Sequence, residues 1–397
     1  HHHSTNYLNT KKLQTHMITI KAPGKLMLAG EWAVLETGKP SIVAAVDKYV
    51  ECSIEETNSS SIQIPGMEKI EFVFEKDKLR FRKILTSGEK EKLLFAKNTI
   101  EVFLTFMEEN ANPIESFNIK TKNHNTTITI PNGSDSEGTE KKIGFGSSAA
   151  TCVAIGTAIM KSYDYDVTEE KHKEIIFKLA SIAHFTAQEF RGSCFDVAAS
   201  TYGGVIIYKA FNGLWLKNEI KRKVSLTEIL NGDWPHLKIK PITLPENLKI
   251  LCCYTSTSAD TRKMIAKMEK FRENNYDEYM ELIDEFEEAV NSIIDALGFG
   301  NPNEIKMMWH KNQSCLKELD EKSKIGILTP ELKKLIEIAN KHDCVGKISG
   351  AGGGDSGIAI CFNEENCKKI KKEWKESKLY LIDIKISENK IINEKEE

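Results

Sequence analysis

Small and hydroxyl-bearing residues crowd into GFGSSAAT, residues 144–151. Glycines let the backbone turn tightly and approach a ligand closely. The run leads into the apolar CVAIGTAIM, a pattern that predicts a helix through about Ser162. The first N–H groups of a helix have no intrahelical partner, and with the helix dipole they attract an anion such as phosphate. Gly144, Gly146, Ser147, Ser148 and Ala149 are therefore read as a phosphate cradle. The Ser147 or Ser148 hydroxyl can reach a phosphate oxygen or a magnesium ion. This is not the GxxxxGK[ST] loop, which the chain lacks. Gly144, Gly146 and Ala149 also fit the dinucleotide spacing G-x-G-x-x-[GA], with Asp164 or Asp166 further on. That fingerprint needs a buried strand before it, and SEGTEKKI is too polar to be one. A helix start packed closely on a neighbour is the plain alternative.

Three further stretches bear on the same chemistry. In KAPGKLMLAGEWAVL, Lys25 sits in a turn punctuated by Pro23–Gly24 and Gly30–Glu31, between apolar segments, where a solvated charge has little reason to be. A strand is expected to break at Pro23–Gly24. In RGSCFDVAASTYGG, Asp196 lies among Phe195, Val197, Ala198 and Ala199; it caps a helix or, beside a phosphate cradle, orients or deprotonates a hydroxyl. SGAGGGDSG, Ser349 to Gly357, holds five glycines in nine residues. A plain turn needs one or two, so Ser349, Gly350, Ala351, Gly352, Gly353 and Asp355 are read as a loop that wraps an anion or closes over one.

KAPGKLMLAGEWAVL, IGFGSSAAT and KISGAGGGDSGIAI, in this order, resemble the three motifs of the GHMP small-molecule kinases, and most closely their phosphomevalonate kinase branch. GSCFDVAASTYGG resembles that branch's GSGFDVA segment, and the likeness runs from about Met17 to Phe362. Asp355 in the third motif favours this branch over the mevalonate kinases. Departures are Lys141 for a proline, Phe145 for a leucine, Trp32 for a tyrosine, Cys194 for a glycine, and a loosely matching YTSTSADTRK.

The resemblance implies an α+β fold of two lobes with ATP and acceptor in the cleft between them. It implies ATP-dependent phosphorylation of 5-phosphomevalonate to 5-diphosphomevalonate, with Mg2+, in the mevalonate route to isoprenoids. Another GHMP member, such as mevalonate kinase or a related decarboxylase, is the alternative. A non-catalytic sensor would not need both Lys25 and Asp196. By resemblance, Lys25 and Asp196 are catalytic and the 144–149 loop holds the nucleotide phosphates. Ser147 or Ser148 meets the metal, and the 349–355 loop acts as lid. Asn98 is a candidate for the nucleoside. Glu31, Arg191, Ser193, Thr257, Thr261 and Arg262 are candidates for the acceptor.

These residues need elements to position them. The chain of 397 residues is 40% hydrophobic, enough for two domains or one large one, and its net charge of −3 gives no basic field for nucleic acid. Apolar runs are too short for a membrane helix, and no signal peptide is evident. HHHSTNYLNTKKLQTH, 1–16, reads as tag and linker, with Met17 as the natural start. The nine scattered cysteines read as reduced core residues of a cytoplasmic protein, and no His/Cys spacing suggests zinc. A Cys194 nucleophile has no base placed nearby in sequence.

Strands are expected at 17–22, one or two over 41–56, and at KIEFVFE, FRKILT, SFNIKTKNHNTTITIP, GGVIIYKAF, LKILCCYTS and GIAICF. Helices are expected at 97–109, from GFGSSAAT through about Ser162, after an Asp166 or Thr168 cap, and at 260–273, about 276–297, 302–320 and 330–342. A mobile polar loop is expected at 131–142, a linker at 212–240 and a fraying tail from Lys385. Strands and helices mix without a βαβ rhythm, which argues α+β. The lobes are placed at 17–220 and 221–397, in a monomer or homodimer.

Overall fold

The computed structural model describes residues 17–132, 135–222, 224–388 and 392–393. It opens with β1 (Ile18–Ala29) and β2 (Pro40–Glu56), an antiparallel pair from Ile18 opposite Ile54 to Ala29 opposite Ile42. The expected break at Pro23–Gly24 is instead a shift of register within β1. A proline cannot donate to the ladder, and a bulge is where a strand tolerates it.

The strands β3 (Ser61–Gln63), β4 (Ile70–Glu75) and β5 (Lys78–Phe81) follow. Helix α1 (Ser87–Glu109) begins ten residues before the expected start. Its signal is a capping box: Glu89 N–H donates to Thr86 Oγ1 at 3.2 Å, and Thr86 N–H to Glu89 Oε1 at 3.0 Å. Then come β6 (Phe117–His124) and the hairpin of β7 (Thr127–Asn132) with β8 (Asp135–Lys142). The polar stretch expected as a loop is thus largely a strand; polarity does not separate a solvated ribbon from a loop, because the ladder satisfies the backbone in both strands.

Helices α2 (Ser147–Ser162), α3 (Glu170–Ala187) and α4 (Phe195–Tyr202) pack beneath the sheet. Most of α2 is buried, and its small residues allow close approach: a Cβ on Gly156 would stand 2.2 Å from the Phe103 ring. Helix α3 does not use the expected caps. The Asp166 carboxylate folds onto the Thr168 N–H and hydroxyl at 3.0 and 2.6 Å, and the helix starts after Glu169. Strand β9 (Val205–Lys209) leads to α5 (Gly213–Lys221), α6 (Leu226–Asn231) and β10 (Lys238–Ile242), where a linker was expected. Asn212 and Ser225 cap the two short helices, so the polar residues there are start signals rather than linker composition.

The large sheet has the order β10-β9-β2-β6-β3-β4-β5, with β1 on β2. The boundary placed at 220 falls inside α5, and β10 still belongs to this sheet. We therefore place the lobe division between Ile242 and Lys249.

The second lobe comprises β11 (Lys249–Tyr254), α7 (Thr261–Asn274), α8 (Tyr276–Phe299), α9 (Pro302–Ser323), α10 (Pro330–Lys341), β12 (Val345–Ile348), β13 (Ser356–Cys361), α11 (Glu364–Glu376) and β14 (Tyr380–Ile382). Its sheet runs β12-β13-β11-β14. Helix α11, not expected from the sequence, buries only Cys367, Ile370 and Trp374 of a very polar segment. A shared core joins the lobes: Leu26, Leu28, Val46 and Phe145 pack with Val290, Trp309, Val345 and Ile358. The tail returns to the first lobe. Ser387 N–H donates to the Ala45 carbonyl at 2.8 Å, and β15 (Ile392–Asn393) pairs with β1, so these residues do not fray. Residues 389–391 and 394–397 of that tail lie outside the described ones. No helix of the described residues is long and apolar enough to cross a membrane.

Candidate active site

Lys25 follows the register shift in β1. Its backbone N–H donates to the Phe145 carbonyl at 2.8 Å and its Nζ to the Gly144 carbonyl at 3.3 Å. The strand is thereby fastened to the loop that opens α2. Gly24 permits this: a Cβ there would stand 2.6 Å from Phe145 O and 2.9 Å from Lys48 O. Gly146, at φ 74°, turns the chain into α2, and a Cβ on it would stand 3.0 Å from Lys25 Cγ. A left-handed residue directly before a helix start, pressed against a lysine side chain, explains Gly146.

Asp196 sits in the first turn of α4, where Oδ1 accepts the Val197 N–H at 2.9 Å. Burial pulls the half-buried Lys25 ammonium below the usual lysine range, while the Asp196 and Asp355 carboxylates oppose that shift. Burial raises the Asp355 carboxyl, against the Ala259 N–H and Lys25. One cation therefore faces two carboxylates from different lobes.

These residues share a cleft of about 290 Å³ between the lobes. Lys25, Glu31, Gly144, Gly146, Ser193 and Asp196 line it from the first lobe, and Thr261, Ser349, Gly350, Ala351, Gly352 and Asp355 from the second. The glycine loop is tied down at several points. Trp32, at φ 67°, donates its indole N–H to the Ala351 carbonyl at 3.0 Å, Ser349 Oγ donates to the Met27 carbonyl at 3.0 Å, and Gly353 N–H to the Ile327 carbonyl at 2.7 Å.

A second cavity, about 390 Å³, opens on the other side of the α2 start. Ser147, Ser148 and Thr151 line it, with Lys92 and Phe95 of α1, Lys142 of β8 and Arg262 of α7. Hydroxyls, three cations and an aromatic ring converge there on a helix N-terminus, a donor set suited to a nucleotide and its phosphates. Among the described residues no group of three His, Cys, Asp or Glu side chains forms a metal site. Mg2+ commonly keeps waters and shares substrate phosphates with one or two protein oxygens, and the Ser147 and Ser148 hydroxyls fit that role.

Several sequence candidates take other places. The Asn98 amide donates to the Ala183 carbonyl at 3.4 Å and lines neither cavity; the turn of α1 at Lys92 and Phe95 faces the second one. The Glu31 carboxylate is buried and held by Lys347 and by the Asn312 amide, the latter at 3.1 Å, so it anchors the cleft floor. Thr257 lines neither cavity; its carbonyl accepts the Asp355 N–H at 2.7 Å and so supports the loop. Arg191 lies outside the cleft lining, 3.8 Å from Glu269, and Arg262 lines the second cavity, 3.9 Å from Glu91. Thr261 and Ser193 do reach the first cleft, and the buried Ser193 hydroxyl has no partner among the described residues. The Ala149 methyl group is fully buried in the first turns of α2. Cys194 is buried with its thiol pushed well up by burial, which suits a packing residue rather than a nucleophile.

Sequence reasoning missed His184, Lys92, Phe95 and Lys142. The early start of α1, signalled by the Thr86–Glu89 box, would have brought Lys92 and Phe95 onto its first turns. His184 is buried on α3, with its Nε2 3.1 Å from Ser148 Oγ and 3.8 Å from Asp196 Oδ2, and burial holds it below the usual histidine range despite Asp196.

Comparison with known proteins extends these observations. Residues 98–204 match the GHMP kinases N terminal domain, and residues 305–379 match GHMP kinases C terminal. A phosphomevalonate kinase of Streptomyces sp. is 26% identical, covering 89% of this chain and 92% of its own. A mevalonate kinase of Pyrococcus abyssi is 24% identical, covering 87% and 88%. Among solved structures, a Listeria innocua protein superposes with a TM-score of 0.83 at 27% identity, covering 95% of this chain and 99% of that one. Streptococcus pneumoniae phosphomevalonate kinase, solved with phosphomevalonate and AMPPNP, gives 0.76 at 23% identity, covering 93% and 99%. One of these matches falls in each lobe, and the chain resembles the GHMP kinases across both lobes and has their two-lobed fold.

Proposed function

We propose that this protein is a GHMP kinase and transfers the γ-phosphoryl group of ATP to the terminal phosphate of 5-phosphomevalonate, giving 5-diphosphomevalonate and ADP. The observation that carries the reading is the lone Lys25 ammonium facing Asp196 and Asp355 where the 144–146 loop meets the cleft. The likeness to phosphomevalonate kinases supports the acceptor. The second cavity takes the nucleotide, and the N-terminus of α2 directs its N–H groups at the phosphates.

In this reaction an acceptor phosphate oxygen bonds to the γ-phosphorus while the bond to the β-bridging oxygen breaks. The protein's task is alignment and charge neutralisation. Lys25 holds the two anionic groups together and offsets their repulsion. Asp196 orients Lys25, and it needs to act as a base only if the acceptor is a neutral hydroxyl. Thr261 and Ser193 offer hydroxyls to the acceptor. Ser147 or Ser148 would hold a magnesium ion, which supplies charge neutralisation at the phosphates. The 350–352 loop excludes water from the cleft.

An ADP-release assay with mevalonate and 5-phosphomevalonate side by side tests the reading. Turnover of 5-phosphomevalonate is expected. Efficient turnover of mevalonate alone would move the chain to the mevalonate kinase reading, which the relatives of that name also support.

A further inference from the structure

One buried side chain lies beside a lining residue of each cavity. His184 comes from the last turn of α3 and is 2% exposed. Its ring lies against Phe95, with centroids 5.0 Å apart. Its Nε2 edge faces the Ser148 hydroxyl, which belongs to the nucleotide cavity, at 3.1 Å, and the Asp196 carboxylate, which belongs to the acceptor cleft, at 3.8 Å. A histidine that only filled space would be a poor choice, because burying an imidazole without a partner costs about 1–3 kcal/mol and an apolar side chain avoids that cost. Both neighbours of Nε2 are oxygens, and the nearby carboxylate favours the tautomer protonated at Nε2, in which Nε2–H donates to Ser148 Oγ. The Ser148 O–H is then free to point into the nucleotide cavity. On the other side, Asp196 has Oδ1 occupied by the Val197 N–H and Oδ2 beside the imidazole edge, which leaves the carboxylate little freedom to rotate away from Lys25.

We infer that His184 is a positioning residue for phosphoryl transfer, fixing the Ser148 hydroxyl toward the nucleotide and the Asp196 carboxylate toward Lys25 with the same Nε2 edge. The inference rests on the kinase reading above. It ties the geometry of the donor side to that of the acceptor side through a residue that touches neither substrate.

His184→Gln and His184→Asn separate positioning from packing. Both are polar and of similar bulk, but the Gln amide nitrogen falls near the Nε2 position and the Asn nitrogen near Nδ1. The expected result is a Gln variant within about threefold of wild-type kcat and an Asn variant at least about tenfold down, with similar melting temperatures. Calorimetric binding of a non-hydrolysable ATP analogue with magnesium reads the same contact without turnover. The Asn variant should bind several-fold more weakly than the Gln variant, and this difference should vanish in a Ser148→Ala background, as expected for two residues acting through one contact. Equal behaviour of the two variants in kcat and in analogue binding would overturn the inference. So would loss of folding in both, which would make His184 a packing residue. Wild-type enzyme that releases no ADP with either mevalonate acceptor would refute the kinase reading instead, and the binding comparison would still decide the role of His184.

Discussion

At the scale of the residue, the site turns on where a single positive charge is kept. Lys25 is held by its own backbone and by its ammonium against the 144–146 loop, so its position does not depend on a bound ligand. Lys25→Met should lower kcat by about 10²–10³-fold with little change in melting temperature, the loss typical of removing one electrostatic contact to a developing charge. A variant that kept a third of wild-type kcat would take Lys25 out of the mechanism. The charge also predicts a pH profile. Burial sets the Lys25 pKa below its usual 10.5, and the proposed mechanism uses the charged form. kcat/KM of the free enzyme should therefore fall as pH rises through that lowered pKa. Lys25→Arg stays protonated, so the activity it retains should show no such alkaline limb. Asp196→Asn keeps shape and removes charge; a large fall in kcat with a modest change in acceptor KM is expected, read from steady-state kinetics with each acceptor.

At the scale of the element, β1 and the start of α2 form one unit. The bulge at Pro23–Gly24 brings the strand within hydrogen-bond distance of the loop, and neither piece adopts its geometry alone. Gly24→Ala would set a methyl group 2.6 Å from a carbonyl oxygen of that loop, an approach that real Cβ atoms do not make. Overpacking of this kind costs about 1–3 kcal/mol. The variant should melt several degrees lower and lose kcat as well, because the shift falls on the loop that holds the Lys25 ammonium. Thermal unfolding unchanged from wild type would show that the loop yields without strain.

At the scale of the whole molecule, the cleft depends on a buried network that joins the lobes. Glu31 follows β1, Asn312 lies on α9 and Lys347 on β12; Glu31 bonds to both, and Gly30 N–H also donates to Asn312 Oδ1 at 3.1 Å. Both charged side chains are fully buried. Removing one partner of such a pair leaves an uncompensated charge and costs about 3–5 kcal/mol. Lys347→Met should therefore be strongly destabilising in thermal or denaturant unfolding. Glu31→Gln combined with Lys347→Met should recover part of the loss, since no charge is then left buried and unpaired. Equal losses in the single and double variants would show that packing, rather than charge, decides this network.

The chemistry-bearing stretches were legible because their composition is local and unusual. Glycines beside serines at a helix start, a lysine between apolar segments and five glycines in nine residues each stand out from ordinary core or surface sequence. Long amphipathic helices such as α8 and α10 were legible for the same reason, their apolar residues recurring on one face. The tertiary structure alone decided which of these residues meet. Glu31, a candidate for the acceptor in sequence, is a buried ion-pair partner, because Lys347 arrives from 316 residues away. His184 carries no motif of its own, and only the packing of α3 against α1 and α2 sets it beside Ser148 and Asp196. Asn98, one face of a helix in sequence, turns out to brace α1 against α3, because a start ten residues earlier presents Lys92 and Phe95 to the cavity instead. Sequence patterning determines which segments want an anion and which want a core. The distances between those segments follow from how the helices and the two sheets pack, and that depends on contacts far apart in the chain.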